Sequence, residues 1–387
     1  MDVELKPGCE LRIEVPTNGK VKFVVSENTA ESNGQELLLG KWYTVKEELF
    51  FIFTYTGCKV KLAASEAFSY VSEDSTVPYI FNVFSNLIHT EKKRLLIVGE
   101  GRTTLANTLT NYFVRGGEKV LQIDLDVHGG SLLFPGTMTM TVIDEVYSQV
   151  EPLSTSEKLS YFFGSPSASD NTDLYSLLLQ ETLAVAKQKD FTGPSVVIGH
   201  KQITKEEIEK TMQAYSIDYL LVIGDEKLYN QVSTDQKIHL PRFPGLIPRD
   251  TERRRQQISS RIKRYFYGEH EEYSPSTLTI NIGERSEKEG AYRVVQVGDE
   301  FMAPMSALPL GSSKRKNSTS VTECLPTAGS VLAISSAETL EEVSTSPVVG
   351  FLTILEVISE TQLKVLSPQP KVPQRPFLIQ GKIRLLG

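Results

Sequence analysis

Cysteine is scarce in this sequence: Cys9, Cys58 and Cys324 lie far apart, with no CxxC or CxxxH spacing. That argues against a disulfide framework or a structural zinc site and suits a reducing compartment. The five histidines are scattered and form no metal-ligand cluster. Long apolar runs are missing too. The stretch ELFFIFTY, residues 48–55, is far short of the ~20 residues that span a bilayer. The opening MDVELKPGCELRIEVP alternates charged and apolar residues, unlike a secretory signal, so a soluble intracellular protein with no membrane partner is expected. Positive charge is not in excess either. With a formal net charge of -7, any nucleic-acid surface has to be a local patch.

What remains is an ordinary globular balance, 40% hydrophobic and 23% charged, over 387 residues. At ~100–200 residues per domain this length suggests two or three domains. The first eighty or so residues read as β throughout. CELRIEV, KVKFVVSE, LFFIFTY and CKVKLAA are short, rich in β-branched and aromatic residues, and separated by TNGK, SNG and YTG turns. They predict a small sandwich or barrel. The period then changes: Tyr79, Phe81, Val83, Phe84 and Leu87 roughly fit one helical face.

From Arg94 to about Gly268 the pattern becomes α/β. RLLIVG, KVLQIDLD, SVVIG and IDYLLVIGD are buried-strand runs, with helices at TTLANTLTNYFVRGG and TKEEIEKTMQAYS. Alternation of this kind implies a parallel sheet covered on both faces. After about Pro275 the chain returns to β, with a polar loop at GSSKRKNSTSVTE. The predicted boundaries are 1–86 for an N-terminal β-sandwich, 87–275 for a central P-loop-type α/β domain and 276–387 for a small β-rich domain.

Three features carry possible chemistry. A P-loop wraps phosphates in successive backbone N–H groups at a helix N-terminus, while a lysine reaches the outer phosphates and a Ser/Thr hydroxyl holds Mg²⁺. Here strand residues Leu95 to Val98 lead into Gly99, Glu100, Gly101, Arg102, Thr103 and Thr104. Anchored on Gly101, the template GxxxxGK[ST] puts Arg102 at the lysine position and Thr103 at the magnesium position. Leu96 falls where the first glycine belongs, so the loop is about three residues short. Arginine is a planar fork rather than a point charge, and the Glu100 carboxylate opposes anion binding. A plain strand–helix turn with incidental glycines stands as the alternative.

Next, VLQIDLDV places Asp124 and Asp126 at the C-terminal end of a buried strand, where open parallel sheets carry their sites. Carboxylates there can bind Mg²⁺ or accept a proton from an attacking hydroxyl. Third, Arg249 and Arg253 to Arg255 begin a basic stretch that continues through Arg261, Lys263 and Arg264 to YFYG. At helical spacing Arg254, Ile258 and Arg261 share one side, able to clamp a phosphate or contact RNA; a solvated charged face is the competing reading.

DLDVHGGSLLFPGTM, residues 124–138, resembles the strand and loop of the Clp-type polynucleotide 5′-hydroxyl-kinase family, which supplies a subunit of the pre-mRNA cleavage and polyadenylation machinery. TAESNGQELLLGKWYTV, DYLLVIGDEKLYNQV, RRRQQISSRIKRYFYG, SALPLG and VVGFLTILEVISETQLKVLSPQP follow in the family's order. The resemblance implies the same three domains, ATP and Mg²⁺ as cofactors, and RNA as a partner. It also implies a large scaffold subunit and other 3′-end processing subunits as partners, and a nuclear location. Carried over residue by residue, Arg102 holds the catalytic lysine position, Thr103 the Mg²⁺ position and Asp126 that of the general base. Arg249 and Arg254 match lid arginines, and Glu31 an acidic residue contacting adenine.

The departures from the family pattern decide the functional expectation. The lysine is lost, the loop is shortened, the family's DVGQG reads Asp126-Val127-His128-Gly129-Gly130, and the RNA-clasping segment reads FGSPSASDN, keeping only Pro166 and Asn171. Phosphoryl transfer depends on positioning and charge neutralisation, so these losses point to a cleavage-factor scaffold that binds ATP without efficient turnover. The alternative is an active ATP-dependent RNA 5′-hydroxyl kinase acting in tRNA splicing or rRNA processing.

Overall fold

The computed structural model of the protein describes residues 1–16, 19–64, 67–91, 93–148, 157–245, 251–268, 271–283, 291–298 and 319–385. Nine strands come first: β1 (Asp2–Leu5), β2 (Glu10–Glu14), β3 (Lys20–Glu27), β4 (Ala30–Ser32), β5 (Gln35–Leu37), β6 (Trp42–Lys46), β7 (Leu49–Phe53), β8 (Cys58–Ala64) and β9 (Phe68–Ser72). They form the expected sandwich from a four-stranded sheet, β1-β8-β3-β6, and a five-stranded sheet, β5-β4-β7-β2-β9. Alternation drives this. In β3, Val21 and Phe23 are buried while Lys20 and Lys22 are exposed, so one face of each sheet enters a shared core. Phe23 stacks between Tyr43 and Phe50, with ring centroids at 5.3 and 5.5 Å.

The next elements are α1 (Val77–Leu87), β10 (Arg94–Gly99), α2 (Arg102–Arg115), β11 (Val120–Asp124), β12 (Thr137–Ile143), β13 (Lys158–Phe162), α3 (Thr172–Gln188), β14 (Ser195–Ile198), α4 (Lys205–Tyr215), β15 (Tyr219–Ile223), α5 (Glu226–Gln231), β16 (Lys237–Leu240) and α6 (Thr251–Tyr267). Strands β16-β15-β10-β14-β11 lie in that order in one sheet, with parallel pairing of β10 to β14 and β15, and of β15 to β16. The buried face of α1 is Val77, Ile80, Val83 and Leu87, whereas Tyr79 and Phe81 are 51% and 42% exposed. That corrects the helical face read from the sequence. At ~100° per residue, positions 79 and 81 rotate off the stripe that begins at Val77. Phe81 instead joins Tyr55, Phe84 and Tyr112 in a chain of ring contacts. Helix α3 escaped the sequence reading. Its N-cap Asn171 accepts from the Leu174 N–H, and Leu174, Leu178 and Ala186 lie on its buried side.

The last strands are β17 (Ser276–Asn281), β18 (Arg293–Val297), β19 (Val321–Glu323), β20 (Ser330–Ser335), β21 (Val348–Ser359), β22 (Gln362–Ser367) and β23 (Phe377–Arg384). Their order is β21-β20-β23-β18-β19, with β22 pairing β21 and β17. Helix α6 contributes Ile262 and Phe266 to the core beneath this sheet, where Phe134 stacks on Phe351 at 4.3 Å.

By contact density the chain divides into two compact units. One comprises Met1–Ile123, Thr141–Glu157 and Asp190–Asp250, the other Asp124–Met140, Lys158–Lys189 and Thr251–Gly387. In the first, the tip of the β4–β5 hairpin rests on α2. Gly34 has φ +77°, and a Cβ there would lie 2.9 Å from the Thr108 carbonyl, so only glycine lets the turn approach the helix this closely. Beside it Asn111 Nδ2 donates to the carbonyls of Asn33 (2.7 Å) and Tyr147 (2.6 Å), and its Oδ1 accepts from the Tyr147 N–H (3.0 Å). The Tyr147 hydroxyl in turn bonds Asn107 (2.8 Å) and Gln122 (2.6 Å). Asn111 and Gln122 are fully buried.

Removing one member of such a network strands the others in a dry interior. Asn111→Ala is expected to lower the unfolding free energy by about 3 kcal/mol, measured by urea denaturation, because it leaves two carbonyls and one N–H buried without their partner.

Candidate phosphate loop and carboxylate loop

The candidate residues divide with the two units. In the first, β10 ends at Gly99 and α2 starts at Arg102, with Gly101 as N-cap at φ +96°. This is the expected strand–turn–helix, but its cationic side chain turns inward. Arg102 is only 9% exposed, and its Nη1 donates to the carbonyl of Gly99 at 3.2 Å, within the loop itself. Phe243, in the segment after β16, covers the turn: a Cβ on Gly101 would lie 2.7 Å from its ring. In front, Arg242 pairs with Glu100 at 3.1 Å, both side chains more than half exposed. Thr103 and Thr104 stand half-buried on the first turn of α2.

ATP and Mg²⁺ fit this loop poorly. Its arginine turns one Nη1 to the loop's own carbonyl, an aromatic ring sits on its central glycine, and Glu100, paired with Arg242, stands beside the place where phosphate oxygens would go. Among the described residues no group of three or more His, Cys, Asp or Glu side chains could hold a metal ion.

Glu31 is buried on β4, at 6% exposure. It accepts from the Tyr112 hydroxyl at 2.5 Å and from Arg115 Nη1 at 3.1 Å, and Arg115 also donates to the Gly34 carbonyl at 3.0 Å. Its carboxylate is therefore held by α2 side chains. Burial pushes the Glu31 carboxyl above its ordinary range, against the opposing pull of Tyr112 and Arg115.

In the second unit Asp124 ends β11 and is 1% exposed. Its Oδ1 accepts from the Asp126 N–H and its Oδ2 from the Ser131 N–H, both at 2.9 Å, with the Ser131 hydroxyl donating to Oδ2 as well. Both oxygens thus staple the following loop, which accounts for the residue without a metal. Burial, with the neighbouring Asp126 adding, raises its carboxyl to about 6. Asp126 is 3% exposed, and its carbonyl accepts from the N–H groups of Gly129 and Gly130. His128 Nδ1 lies 3.2 Å from the Pro166 carbonyl, which can only accept, so Nδ1 carries the hydrogen. Burial lowers the His128 imidazole, Arg254 and Arg261 lower it further, and Asp126 opposes them. The structure therefore gathers Asp126, His128, Arg254 and Arg261 within electrostatic reach. Arg249 lies outside the described residues.

The clasp-like segment Phe163–Asn171 lines a cavity of about 620 Å³ in the same unit, together with residues 296–298 and 379–382. Asp170 there accepts from the Ser165 hydroxyl at 2.6 Å and pairs with Lys382 at 3.2 Å.

The sequence reading missed Phe243 and Arg242 beside the phosphate loop, and Tyr112 and Arg115 of α2 as the partners of Glu31. The first two lie in PRFPG, where two prolines bracket the aromatic residue, the available signal that the chain is held in place beside a glycine turn.

Three family models cover the chain. "N-terminal beta-sandwich domain of polyadenylation factor" matches residues 4–94, "mRNA cleavage and polyadenylation factor CLP1 P-loop" residues 98–268, and "Pre-mRNA cleavage complex II protein Clp1" residues 274–386. A protein CLP1 homolog of Dictyostelium discoideum is 30% identical across 97% of this chain and 87% of its own length. The polyribonucleotide 5′-hydroxyl-kinase Clp1 of Homo sapiens is 28% identical across 99% of this chain and 96% of its own. Among solved structures, Clp1p in the wild-type Clp1p–Pcf11p complex superposes with a TM-score of 0.84 at 20% identity, covering 99% of this chain and 97% of that one. A second Clp1p structure, also described with its Pcf11p interface, gives 0.86 at 20% identity over 99% and 98%. No helix among the described residues is long and apolar enough to cross a membrane.

The raised Glu31 carboxyl has a definite sign in stability. The native state keeps this proton to higher pH than the unfolded chain. The stability that Glu31 contributes is thus complete below the unfolded pKa and falls as pH rises through the folded one. Urea midpoints of Glu31→Gln relative to the parent should shift in favour of the variant between pH 4 and 7. A shift the other way would mean that pairing with Arg115 outweighs burial.

Proposed function

The chain belongs to the Clp1 family, and from that premise we propose that it is a scaffold subunit of an mRNA 3′-end cleavage and polyadenylation complex, with a phosphate loop that has ceased to drive phosphoryl transfer. One observation carries this reading: Arg102, at the lysine position, is buried and bonded to the carbonyl of Gly99. Phosphoryl transfer needs a cation placed on the outer phosphates, and a guanidinium turned into its own loop supplies none. The ring of Phe243 on Gly101 further fills the turn that would wrap a phosphate. The N-terminal hairpin is hydrogen-bonded to α2 through Asn33, Glu31 and Gly34, which suits a scaffold. The expected partner is the large scaffold subunit of the cleavage factor, and the expected location is the nucleus.

A second reading keeps the chemistry. His128 feels the charges of Asp126, Arg254 and Arg261, which supports reading Asp126 as a general base in a site that also holds guanidinium groups. On this reading the chain is an RNA 5′-hydroxyl kinase, and Arg102 would have to leave Gly99 to reach a phosphate.

Calorimetry with Mg-ATP at millimolar concentration and transfer of labelled phosphate from ATP to 5′-hydroxyl RNA separate the two. The scaffold reading expects no heat of binding, and turnover far below the roughly 1–100 per second of kinases. Phosphorylated RNA that disappears in Asp126→Asn would overturn it and establish the kinase.

A further inference from the structure

An acidic chain carries a basic sheet face. In the sheet β1-β8-β3-β6, Lys20 and Lys22 of β3, Lys59 and Lys61 of β8, and Trp42 and Lys46 of β6 alternate with buried neighbours and lie on the outer side, where Val24 of β3 is itself covered. Register gathers them. Lys20 is opposite Lys46, Lys22 is opposite Thr44 and Ala63, and Val24 lies between Trp42 and Lys61. Lys59 is neutralised by Glu27 at 2.8 Å. Lys20, Lys22 and Lys61 make no ion pair among the described residues. Besides Glu27, the acids of this face are Asp2 and Glu4 on the β1 edge, opposite Lys61 and Lys59. Across β8, β3 and β6 the outward charge is positive, although the chain as a whole carries -7.

Trp42 is the chain's one tryptophan, and it is 55% exposed at the β6 edge of this face. Leu38 and Leu39, in the loop just before it, are 58% and 63% exposed. A large indole left half in water beside a row of lysines is a poor arrangement for a solvated sheet face and a good one for a ligand with both negative charge and aromatic rings.

We propose that this outer face binds single-stranded RNA, with the phosphate backbone along Lys20, Lys22 and Lys61 and a base stacked on Trp42. Lys20 and Lys22 are two residues apart on one face, about 6.8 Å along the strand, so a flat sheet presents its cations in a row. Stacking on an aromatic side chain accepts any base, since every base has a π face. An acidic peptide would use the lysines but not the indole. The proposal shares no residue with the phosphate loop or the carboxylate loop, so it stands or falls separately from the scaffold reading.

The single tryptophan makes the test direct. An oligouridylate of about twelve nucleotides, titrated into the full chain at low salt, should quench tryptophan emission and raise the anisotropy of a label on the RNA. The logarithm of affinity against the logarithm of salt should have a slope of about -2 or steeper, from three phosphate contacts at roughly -0.7 each. Changing Lys20→Glu, Lys22→Glu and Lys61→Glu together should flatten that slope by about 2, and Trp42→Ala should weaken binding roughly tenfold while Trp42→Phe keeps most of it. All four side chains are outside the core, and an unchanged melting temperature verifies each variant's fold. Undiminished affinity and slope in the triple-lysine variant would overturn the proposal. So would equal quenching by polyglutamate, which would reassign the face to an acidic protein partner.

Discussion

The amide of Asn111 is the contact on which the first half of the molecule turns. It satisfies two carbonyls and one N–H from two distant segments, inside an interior where none of the three could otherwise reach water. A buried amide in that position demands one geometry, because each displaced partner costs about 1–3 kcal/mol of desolvation. The β4–β5 hairpin therefore has one seat on α2, and Gly34 is the residue that lets it sit there. Helix α2 is 14 residues long, about 21 Å, with the phosphate loop at its start and this junction toward its end. The loop inherits its position from a helix that polar and apolar packing has already fixed.

That arrangement makes the fold around the phosphate loop independent of what the loop binds. Where a loop is held open by its ligand, losing the lysine would weaken the protein. Here Leu105, Leu109 and Phe113 of α2 are fully buried against strand residues such as Leu95, Ile97 and Val196. Arg102 gains the Gly99 carbonyl, Glu100 gains Arg242, and Phe243 fills the space over Gly101. The exposed Glu100–Arg242 pair contributes little, at most about 1 kcal/mol. The buried ring and the helix face carry far more. Catalysis and stability are separable at this loop because different atoms supply them.

How much of this could be read in the sequence follows the range of the interactions. The sandwich strands were legible because Lys20-Val21-Lys22-Phe23 and Lys59-Val60-Lys61-Leu62 alternate with period two, a local property. The α/β core was legible because its parallel strands are buried on both faces and read as apolar runs. Helix α1 was found but turned wrongly, since Tyr79 and Phe81 are aromatic without being buried and hydrophobicity alone does not fix the inward face. At the phosphate loop, the sequence told which residue stands at the lysine position; it could not tell that the side chain points back to Gly99, because a rotamer is set by three-dimensional surroundings, nor that Phe243, about 140 residues later, covers Gly101. Glu31 carries the same lesson. The family resemblance implies an adenine contact for it, and its neighbours Tyr112 and Arg115 come from a helix about eighty residues on.

The lysine face is long-range information of the same kind, hidden inside two very local patterns. Each KVK triplet taken alone is an ordinary half-solvated strand. Only the order β8-β3-β6 brings residues 20, 22, 46 and 61 onto one surface, and only a twisted sheet of antiparallel neighbours, at ~4.8 Å spacing, crowds their charges together. Like charges on neighbouring strands repel, and a sheet under selection for stability alone would intersperse acids among them, as β1 does with Asp2 and Glu4. A stretch in which lysines outnumber acids is therefore a cost the fold bears, modest in water and screened by salt, and a polyanion laid across it would turn the repulsion into attraction. Nothing in this requires the phosphate loop to work. On the scaffold reading the chain would still be held to RNA, because the proposed contact lies on a surface that shares no residue with the phosphate loop or the carboxylate loop.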